Sequence, residues 1–239
     1  MGKSLQKYNG SKKVQIKAMF NSIAPRYDFL NHLLSLGIDH YWRKKAINML
    51  KIDQPNTILD LACGTADFSI ASLKLNPVQV TGIDISEKMV DLGEKKIQKI
   101  NAQDKIHLQV ADSEELPFEE NSFNAIIVAF GVRNFENLQK GLKEANRVLK
   151  SGGRMVILEF SNPESFPIKQ LYHVYFSSIL PVIGRLFSKD QLAYSYLPES
   201  VKNFPQGKHF LEQMKLTGFR DVSIKKLTFG ICSVYSGIK

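Results

Sequence analysis

Residues 57–69, TILDLACGTADFS, contain an apolar run, a short loop and the start of a second patterned segment. The run over 57–62 is typical of a buried β-strand, and the segment after the loop is typical of a helix. Strand, loop and helix in this order form the ligand-binding corner of many α/β sheets. A loop that holds a pyrophosphate needs several glycines, whereas this loop has only Gly64. It therefore indicates a nucleoside ligand without a pyrophosphate.

Strand and helix patterns alternate after this stretch. Further strands are predicted at 78–84, 106–111, 123–130 and 154–160. The chain ends with a helical segment and two strand patterns, 219–227 and 230–238, that no helix separates. Such alternation means parallel strands with helices on both faces, and a final hairpin adds one antiparallel strand. We therefore predict a Rossmann-like α/β fold with a seven-stranded, mostly parallel sheet and one antiparallel C-terminal strand.

Local signals predict where several helices begin and end. Helical spacing of apolar residues over 14–23 predicts an N-terminal helix. Asp39 and Ser86 each precede a helical pattern and are expected to be N-caps. Gly152 and Gly153 follow an amphipathic pattern and are expected to stop that helix as a C-cap.

The chain is predicted to form a single domain of four segments. These are an N-terminal helical cap (1–54), a cofactor-binding core (55–160), an insertion (161–205), and a C-terminal helix with a strand hairpin (206–239). The insertion is aromatic and apolar without strand alternation. Lys169, His173, Pro181 and Arg185 interrupt it too often for a membrane span. We therefore expect a helical cover over the sheet.

Charge and cysteine content limit the surroundings of the protein. The 239 residues carry a formal net charge of +9, which favours nucleic acid or an acidic membrane face as partner, although ordinary solvated lysines also account for it. Two cysteines cannot form a disulfide framework, and the lysine-rich start lacks an apolar signal segment. A reducing, cytoplasmic location is therefore expected.

Carboxylates stand at the predicted ends of three successive strands: Asp60, Asp84 and Asp112. The ends of parallel strands meet at one edge of the sheet, where ligands bind. Asp84 follows Gly64 by 20 residues, and an ionised carboxylate there accepts both hydroxyls of an adenosine ribose. Asp112 and Ser113 stand where an adenine amino group and ring nitrogen are read. Each aspartate alone also fits a turn or cap, but three at successive strand ends favour a site.

The loop and several other segments resemble known methyltransferases. Residues 60–66, DLACGTA, resemble the D-x-G-x-G-x-G loop of class I S-adenosylmethionine-dependent methyltransferases, with Ala62 and Ala66 in place of two glycines. Other segments closely resemble the quinone C-methyltransferases of menaquinone and ubiquinone biosynthesis from about residue 14 to the C-terminus. They are YDFLNHLLS (27–35) with His40 and Trp42, FGVRN (130–134), RVLKSGG (147–153), LEFS (158–161), LPVIG (180–184) and YSYLPES (194–200).

This resemblance implies an enzyme that moves a methyl group from S-adenosylmethionine to a ring carbon of a polyprenylated quinol. The expected conversion is demethylmenaquinol to menaquinol, and the benzoquinol of the ubiquinone pathway is the alternative substrate. The expected cofactor-binding residues are Asp60, Gly64, Thr65, Asp84, Asp112 and Ser113. At Ala129, where some relatives carry serine, a hydroxyl contact is lost.

The chemistry of ring methylation suggests catalytic and substrate-binding residues. A ring carbon attacks the methyl group only after a neighbouring hydroxyl ionises, so a cation near that oxygen is expected to help. Arg133 follows the central strand and is expected to project over the cofactor pocket and stabilise this oxyanion, with a surface salt bridge as its alternative role. His40 and Tyr27 are candidates for a base or an orienting group.

The substrate and the cell membrane are the expected partners. Trp42, Phe130 and Tyr172 are expected to stack on the quinol ring, with core packing as their alternative role. A polyprenyl tail requires access from a bilayer, so the insertion with Lys169, Arg185 and Lys189 is expected to lie peripherally on the inner face of the membrane. A lid without lipid contact is the alternative, and assembly as a homo-oligomer remains open.

Other functional classes fit the sequence less well. A nucleic-acid methyltransferase of this fold commonly has an Asn/Asp-Pro-Pro-aromatic motif after the fourth strand, where this chain has AFGVRNF (129–135). We therefore expect no nucleic-acid partner. A dehydrogenase would need the phosphate-binding glycines. No spacing of cysteine and histidine indicates a metal site. A non-enzymatic adenosyl-binding protein remains an alternative.

Overall fold

The computed structural model describes residues 8–175, 178 and 191–239. Seven strands form one sheet in the spatial order β3-β2-β1-β4-β5-β7-β6. The strands are β1 (Thr57–Leu61), β2 (Gln79–Asp84), β3 (Ile106–Val110), β4 (Phe123–Ala129), β5 (Leu149–Phe160), β6 (Arg220–Leu227) and β7 (Cys232–Ile238). The predicted seven-stranded sheet is confirmed.

The described part of the chain contains eight α-helices. They are α1 (Lys12–Leu34), α2 (Ile38–Asn48), α3 (Asp67–Ser72), α4 (Glu87–Lys99), α5 (Leu138–Val148), α6 (Ile168–Val174), α7 (Gln191–Asn203) and α8 (Lys208–Leu216). Side chains of α2, α3 and α4 join one buried cluster, whereas those of α5 and α8 join another. Helices therefore cover both faces of the sheet, as strand-helix alternation predicts.

The strand order places a crevice at the ends of β1 and β4. Strand β1 lies between β2 and β4 and is parallel to both. The chain thus turns in opposite directions after β1 and after β4, which opens a crevice beyond their carboxyl ends. The strands beside this crevice are largely apolar and buried, and Ile58 and Ile126 are fully buried.

The C-terminal strand is the antiparallel one. Strand β7 pairs antiparallel with β5 on one side and antiparallel with β6 on the other. Strand β6 therefore runs parallel to the other five strands and forms the sheet edge. The expectation of one antiparallel C-terminal strand is confirmed.

Two predicted helix ends are wrong, and one is confirmed. Helix α2 begins at Ile38, after Gly37 with φ 73°, so Asp39 lies inside the first turn and is not the N-cap. Helix α5 ends at Val148 because β5 starts at the next residue; Gly152 and Gly153 lie in the strand. A Cβ on Gly153 would lie 2.8 Å from the carbonyl oxygen of Asn124, so this crowded, irregular pairing requires glycine there.

Ser86 is the N-cap of α4, as predicted, and its hydroxyl accepts a hydrogen bond from the backbone N–H of Met89 at 3.3 Å. The side-chain hydroxyl thereby satisfies one of the free N–H groups of the first turn. This cap holds the start of α4 next to the end of β2, where Asp84 lies.

The N-terminal helix α1 is longer than its apolar pattern predicts, because it continues through Pro25 to Leu34. Ile16 and Met19 of α1 pack with Tyr196 of α7 in a third buried cluster, separate from the two clusters on the sheet. The N-terminal helix and the insertion thus share a small apolar core of their own.

Part of the insertion lies outside the described residues, including LPVIG (180–184) and the predicted interrupting residues Pro181, Arg185 and Lys189. The described part of the insertion is helical in α6 and α7. Within the described ranges, no helix has both the length and the apolar character that crossing a membrane requires.

Candidate active site

The loops after β1, β2, β3 and β4 surround one cavity at the carboxyl edge of the sheet. Helix α1 closes this cavity from above with Lys13, Ile16, Phe20 and Tyr27. Its other lining residues are Ala62, Gly64, Asp84, Ile85, Met89, Asp112, Ser113, Glu114, Ala129, Phe130, Gly131, Asn134, Phe135 and Glu136. The structure therefore brings four predicted cofactor residues together: Gly64, Asp84, Asp112 and Ser113.

The loop after β1 explains how two alanines replace glycines. Ala62, Gly64 and Ala66 all have left-handed backbone conformations, with φ of 53°, 56° and 68°. Such a conformation costs an ordinary L-residue about 1–2 kcal/mol, and glycine avoids this cost. The loop thus keeps the backbone path of a glycine-rich loop, with the small methyl group of alanine at two positions.

Asp60 lies beneath this loop and combines full burial with an oxygen that has no partner among the described residues. It is fully buried, and one oxygen, Oδ2, accepts a hydrogen bond of 2.6 Å from the Ser69 hydroxyl. Its other oxygen, Oδ1, has no hydrogen-bond partner among the described residues. Burial raises the pKa of Asp60 to about 7. A buried acceptor without a partner fits the positively charged amino group of a methionine moiety.

Asp84 and Asp112 are held in place by backbone N–H groups. Asp84 accepts bonds of 2.9 Å from the N–H groups of Gly64 and Ser86, one on each oxygen. Asp112 accepts a bond of 2.9 Å from the N–H of Glu114 and pairs with Lys13 of α1. Each carboxylate oxygen has a second lone pair, so both aspartates keep acceptor capacity for a ligand.

Thr65 is buried and lies between α1 and α4, although the cavity-lining residues do not include it. Its hydroxyl donates to Asp28 of α1 and accepts a bond of 2.9 Å from Lys96 of α4. Any contact between Thr65 and a ligand thus remains a prediction.

The polar contacts that α1 makes with the strand ends were not predicted from the sequence. Lys13, Asn21 and Asp28 bond to Asp112, Ser86 and Thr65, which follow three different strands. Their spacing of eight and seven residues places them on one face of a helix. A polar stripe at this spacing is the signal that would have identified the contact face.

Tyr27 lines the first cavity, and its predicted role near the reaction stays a prediction. Burial of its phenol group raises the pKa of Tyr27 to about 12, although the residue as a whole is partly exposed. Its hydroxyl is therefore protonated at neutral pH. Tyr27 is suited to donate a hydrogen bond and not to accept a proton.

A second cavity, which is apolar, has a volume of about 410 Å³. Trp42, Phe160 and Tyr172 line it, together with Asn31, Ser35, Leu36, Ile38, Ile168, Leu171, Tyr175, Leu197, Thr228 and Ile231. The indole N–H of Trp42 donates to the Thr228 hydroxyl at 2.7 Å, so its polar atom is satisfied. Two predicted substrate residues, Trp42 and Tyr172, thus meet in this cavity.

Phe130 lies between the two cavities. It lines the first cavity, while its ring stacks on Phe160 of the second cavity with centroids 4.4 Å apart. Trp42 contacts the Phe130 ring edge-on at 6.2 Å. The third predicted substrate residue thus lines the first cavity, and its contact with Phe160 forms the wall between the two cavities.

Arg133 does not line the first cavity, contrary to the expectation that it would project over a cofactor pocket. Its guanidinium Nη1 forms an ion pair of 2.6 Å with Glu159 at the end of β5, and both side chains are buried. The physical reason is that Glu159, a buried carboxylate, attracts the cation away from the cavity. Glu159 was not predicted as a partner of Arg133, because a separation of 26 residues along the chain leaves no local sequence signature.

His40 is exposed and belongs to neither cavity lining. Its ring stacks on His32 at 4.6 Å, and His32 Nδ1 lies 2.9 Å from the buried Asp39 carboxylate. Ligand atoms of these three residues lie within 4.8 Å of one another. Asp39, however, is already bonded to Arg43 and Ser35, so the group forms a hydrogen-bonded cluster joining α1 to α2.

The fold matches solved structures with different activities. The [4+2]-cyclase SpnF has a TM-score of 0.69 at 14% identity, covering 96% of this chain and 97% of its own. An S-adenosylmethionine-dependent methyltransferase from Thermotoga maritima has a TM-score of 0.66 at 18% identity, covering 93% and 99%. Since a cyclase and a methyltransferase share this likeness, it establishes the fold and not the reaction.

Sequence comparison identifies the family. The demethylmenaquinone methyltransferase of Bacteroides fragilis strain ATCC 25285 is 50% identical over 97% of this chain and 95% of that protein. The ubiquinone/menaquinone biosynthesis C-methyltransferase UbiE of Geotalea daltonii is 48% identical over 94% and 96%. The family model for ubiE/COQ5 methyltransferases matches residues 7–239. The chain therefore belongs to the ubiE/COQ5 methyltransferase family.

Proposed function

We propose that this protein methylates a ring carbon of a polyprenylated quinol, converting demethylmenaquinol to menaquinol with S-adenosylmethionine as methyl donor. The observation that carries the proposal is a pair of cavities separated by the stacked rings of Phe130 and Phe160. One is lined by carboxylates suited to a nucleoside, and the other by aromatic and aliphatic side chains suited to a quinol with its tail. The 50% identity with a demethylmenaquinone methyltransferase favours the naphthoquinol over the benzoquinol of the ubiquinone pathway.

The residues of the first cavity would hold the donor by charge and hydrogen bonding. Asp84 would accept the ribose hydroxyls, and Asp112 and Ser113 would read the adenine. Asp60 does not line this cavity but lies buried beneath the loop after β1, from where it would pair with the amino group of the methionine end. When bound, S-adenosylmethionine supplies an electrophilic methyl group on a positively charged sulfur. A side chain on Gly64 would point towards the ring of Tyr27, since its Cβ would lie 4.0 Å from Cε1.

The second cavity would orient the quinol. Trp42, Phe160 and Tyr172 offer ring surfaces for stacking. Burial raises the pKa of Tyr172 well above its ordinary value, so its hydroxyl is a donor at neutral pH. In the net reaction, the S–CH3 bond of the donor breaks as a ring C–CH3 bond replaces one ring C–H bond, and S-adenosylhomocysteine and one proton are released. Tyr27 would donate a hydrogen bond to the quinol oxygen on which negative charge develops.

We also propose that the rim of the apolar cavity contacts an anionic bilayer. Leu36 and Leu171 both line the cavity and are 80% and 63% exposed, so the cavity opens between apolar side chains. Phe166, just before α6, is 81% exposed. Apolar side chains around an opening suit access for a substrate dissolved in lipid.

A basic recess lies next to this rim and shares Tyr172 with the apolar cavity. Its described lining includes Lys169, His173 and Lys202 and contains no acidic side chain. Cations beside an apolar rim complement the negative headgroups of a bilayer. The recess therefore supports the same orientation on the membrane as the exposed leucines.

The substrate is tested in cells and with the purified protein. Cells that lack the protein should accumulate demethylmenaquinone in quinone extracts, and purified protein with S-adenosylmethionine should convert demethylmenaquinol to menaquinol. Normal quinone content in the deficient cells would contradict the proposal.

Asp84→Ala should weaken binding of S-adenosylhomocysteine at least tenfold in calorimetry, because it removes the ribose acceptor, whereas Asp91→Ala on the exposed side of α4 should not.

Vesicle flotation tests the membrane contact. The protein should float with vesicles containing about one-third phosphatidylglycerol and remain unbound with neutral vesicles or at high salt. The double variant Lys169→Glu with Lys202→Glu should lose most of this recovery. The matched control is Lys51→Glu with Lys105→Glu, since these residues precede β1 and β3 at the amino ends of the strands. Equal recovery of both double variants would contradict this orientation.

A further inference from the structure

Glu159 and Arg133 form a buried ion pair beside the wall between the cavities. The Glu159 side chain is 0% exposed, and that of Arg133 is 8% exposed. Glu159 also accepts a bond of 2.9 Å from the N–H of Phe160, and Arg133 Nε donates to the Ser200 hydroxyl at 3.3 Å. Taking two charges out of water costs about as much as their attraction returns, so such a pair is weak evidence of a role in stability. Its contacts indicate a different role.

The pair fixes the backbone of Phe130. Arg133 Nη1 donates to the Phe130 carbonyl oxygen while it also bonds to Glu159. The same carbonyl accepts a bond of 3.3 Å from Asn134 Nδ2, and the Phe130 N–H donates to Leu158 at 2.7 Å. Phe130 has φ 58°, a left-handed conformation that a phenylalanine adopts only where its surroundings enforce it.

The Phe130 ring is also held from the second cavity. Phe160, which follows Glu159 directly, stacks on it at 4.4 Å with an interplanar angle of 28°. The guanidinium carbon of Arg133 lies 5.5 Å from the centre of the Phe160 ring. Arg133 thus contacts both residues of the wall, Phe130 at its backbone carbonyl and Phe160 at its ring face.

We infer that Glu159 and Arg133 are positioning residues for methyl transfer, which act through the Phe130–Phe160 wall. The inference rests on the proposed function, because the wall separates the donor cavity from the quinol cavity. Transfer requires the reacting atoms to be about 3–3.5 Å apart, and a displacement of about 1 Å costs on the order of 100-fold in rate. Arg133 therefore serves the reaction from behind the wall, and not by touching the quinol.

Glu159→Gln tests this inference because it keeps the shape of the side chain and removes its charge. It should lower kcat on the order of 100-fold, with the dissociation constant of S-adenosylhomocysteine changed less than threefold. Glu144→Gln is the matched control, since Glu144 also binds an arginine, Arg147, and a backbone N–H but lies away from both cavities. It should keep kcat within twofold of the wild type.

A double-mutant cycle separates positioning from a general structural role. Phe130→Leu alone should also lower kcat strongly, and adding Glu159→Gln to it should cause less than a threefold further loss, because the wall is already gone. Additive losses would overturn the inference. Wild-type kcat in Phe130→Leu would overturn it as well, even if Glu159→Gln did not fold.

Tryptophan fluorescence provides a readout that does not depend on the quinol. Trp42 is the only tryptophan of the chain and contacts both Phe130 and Phe160 edge-on. Glu159→Gln should shift its emission maximum, whereas Glu144→Gln should not. An unchanged spectrum in folded Glu159→Gln would overturn the inference, whereas failure of the wild type to methylate the quinol would count only against the proposed function.

Discussion

Single side chains decide how tightly the loop after β1 approaches its neighbours. Gly131, after β4, faces Ala62 so closely that a Cβ on Gly131 would lie 2.7 Å from the Ala62 Cβ. An alanine at 62 is therefore tolerated only because 131 is glycine. The two positions are 69 residues apart, so a pattern search along the sequence does not connect them.

Gly131→Ala should lower the free energy of unfolding by about 1–3 kcal/mol, because the added methyl group overpacks this contact. Ala62→Gly removes the opposing methyl group and the left-handed strain, so the double variant should recover at least half of that loss. Urea unfolding of the four proteins measures the effect. Ala71→Gly in α3 is a control that should not restore Gly131→Ala, and purely additive losses would contradict the close contact.

Helix α1 shows how tertiary contacts extend an element beyond its sequence pattern. The apolar pattern that predicts this helix covers only 14–23, and a proline inside a helix removes a backbone hydrogen bond. The structure continues the helix to Leu34, because residues on both sides of Pro25 bind the strand ends. Asn21 bonds to Ser86 at 2.6 Å, and Asp28 bonds to Thr65.

A double-mutant cycle on Asn21 and Ser86 measures this attachment. Ser86→Ala should cost about 1 kcal/mol for the lost N-cap of α4 and more for the lost bond to Asn21. With Asn21→Ala, the coupling energy should be about 0.5–1.5 kcal/mol in chemical unfolding. Asn137→Ala removes the N-cap of α5, whose side chain bonds to the N–H of Lys140 in its own helix, and should add to Asn21→Ala without coupling. Equal coupling in both cycles would contradict a direct bond.

The protein as a whole shows which features a sequence can predict. Strands β1 to β5 follow from apolar runs and helix patterns, because burial on both faces makes each strand a local, contiguous signal. The carboxylates at the carboxyl edge of the sheet follow from their positions at strand ends, as Asp84 illustrates. The Arg133–Glu159 pair and the apolar cavity do not follow, because they join side chains from distant segments. The residue type of His40 suggested a role as a base. Its exposure, which only the tertiary structure shows, does not support that role.

Asp60 should make the stability of the unliganded protein depend on pH. Burial raises its folded-state pKa to about 7 from an ordinary value of 3.8. The stability from this group is therefore fully present below about pH 4 and is lost as the pH rises through 7. Relative to Asp60→Asn, the wild type should lose on the order of 1 kcal/mol per pH unit between about pH 4 and 7.

Urea unfolding at several pH values measures the difference in unfolding free energy between the wild type and Asp60→Asn. The other titrating groups are the same in both proteins, so their contributions cancel in this difference. Asp60→Asn should equal or exceed the wild type in stability at pH 8, yet bind S-adenosylhomocysteine far more weakly. The variant keeps an acceptor for Ser69, so loss of that bond is controlled. A constant stability difference across the pH range would show that Asp60 does not titrate in this way.

The position of β7 between β5 and β6 also fixes an order of assembly. Strand β6 precedes β7 in the chain but reaches the sheet only through β7. During synthesis, β6 therefore emerges from the ribosome before its pairing partner β7. It joins the sheet only after residues 232–238 have emerged and paired with β5. A truncation that removes only β7 would strip both strands from the sheet and leave the edge of β5 open to pairing with other chains.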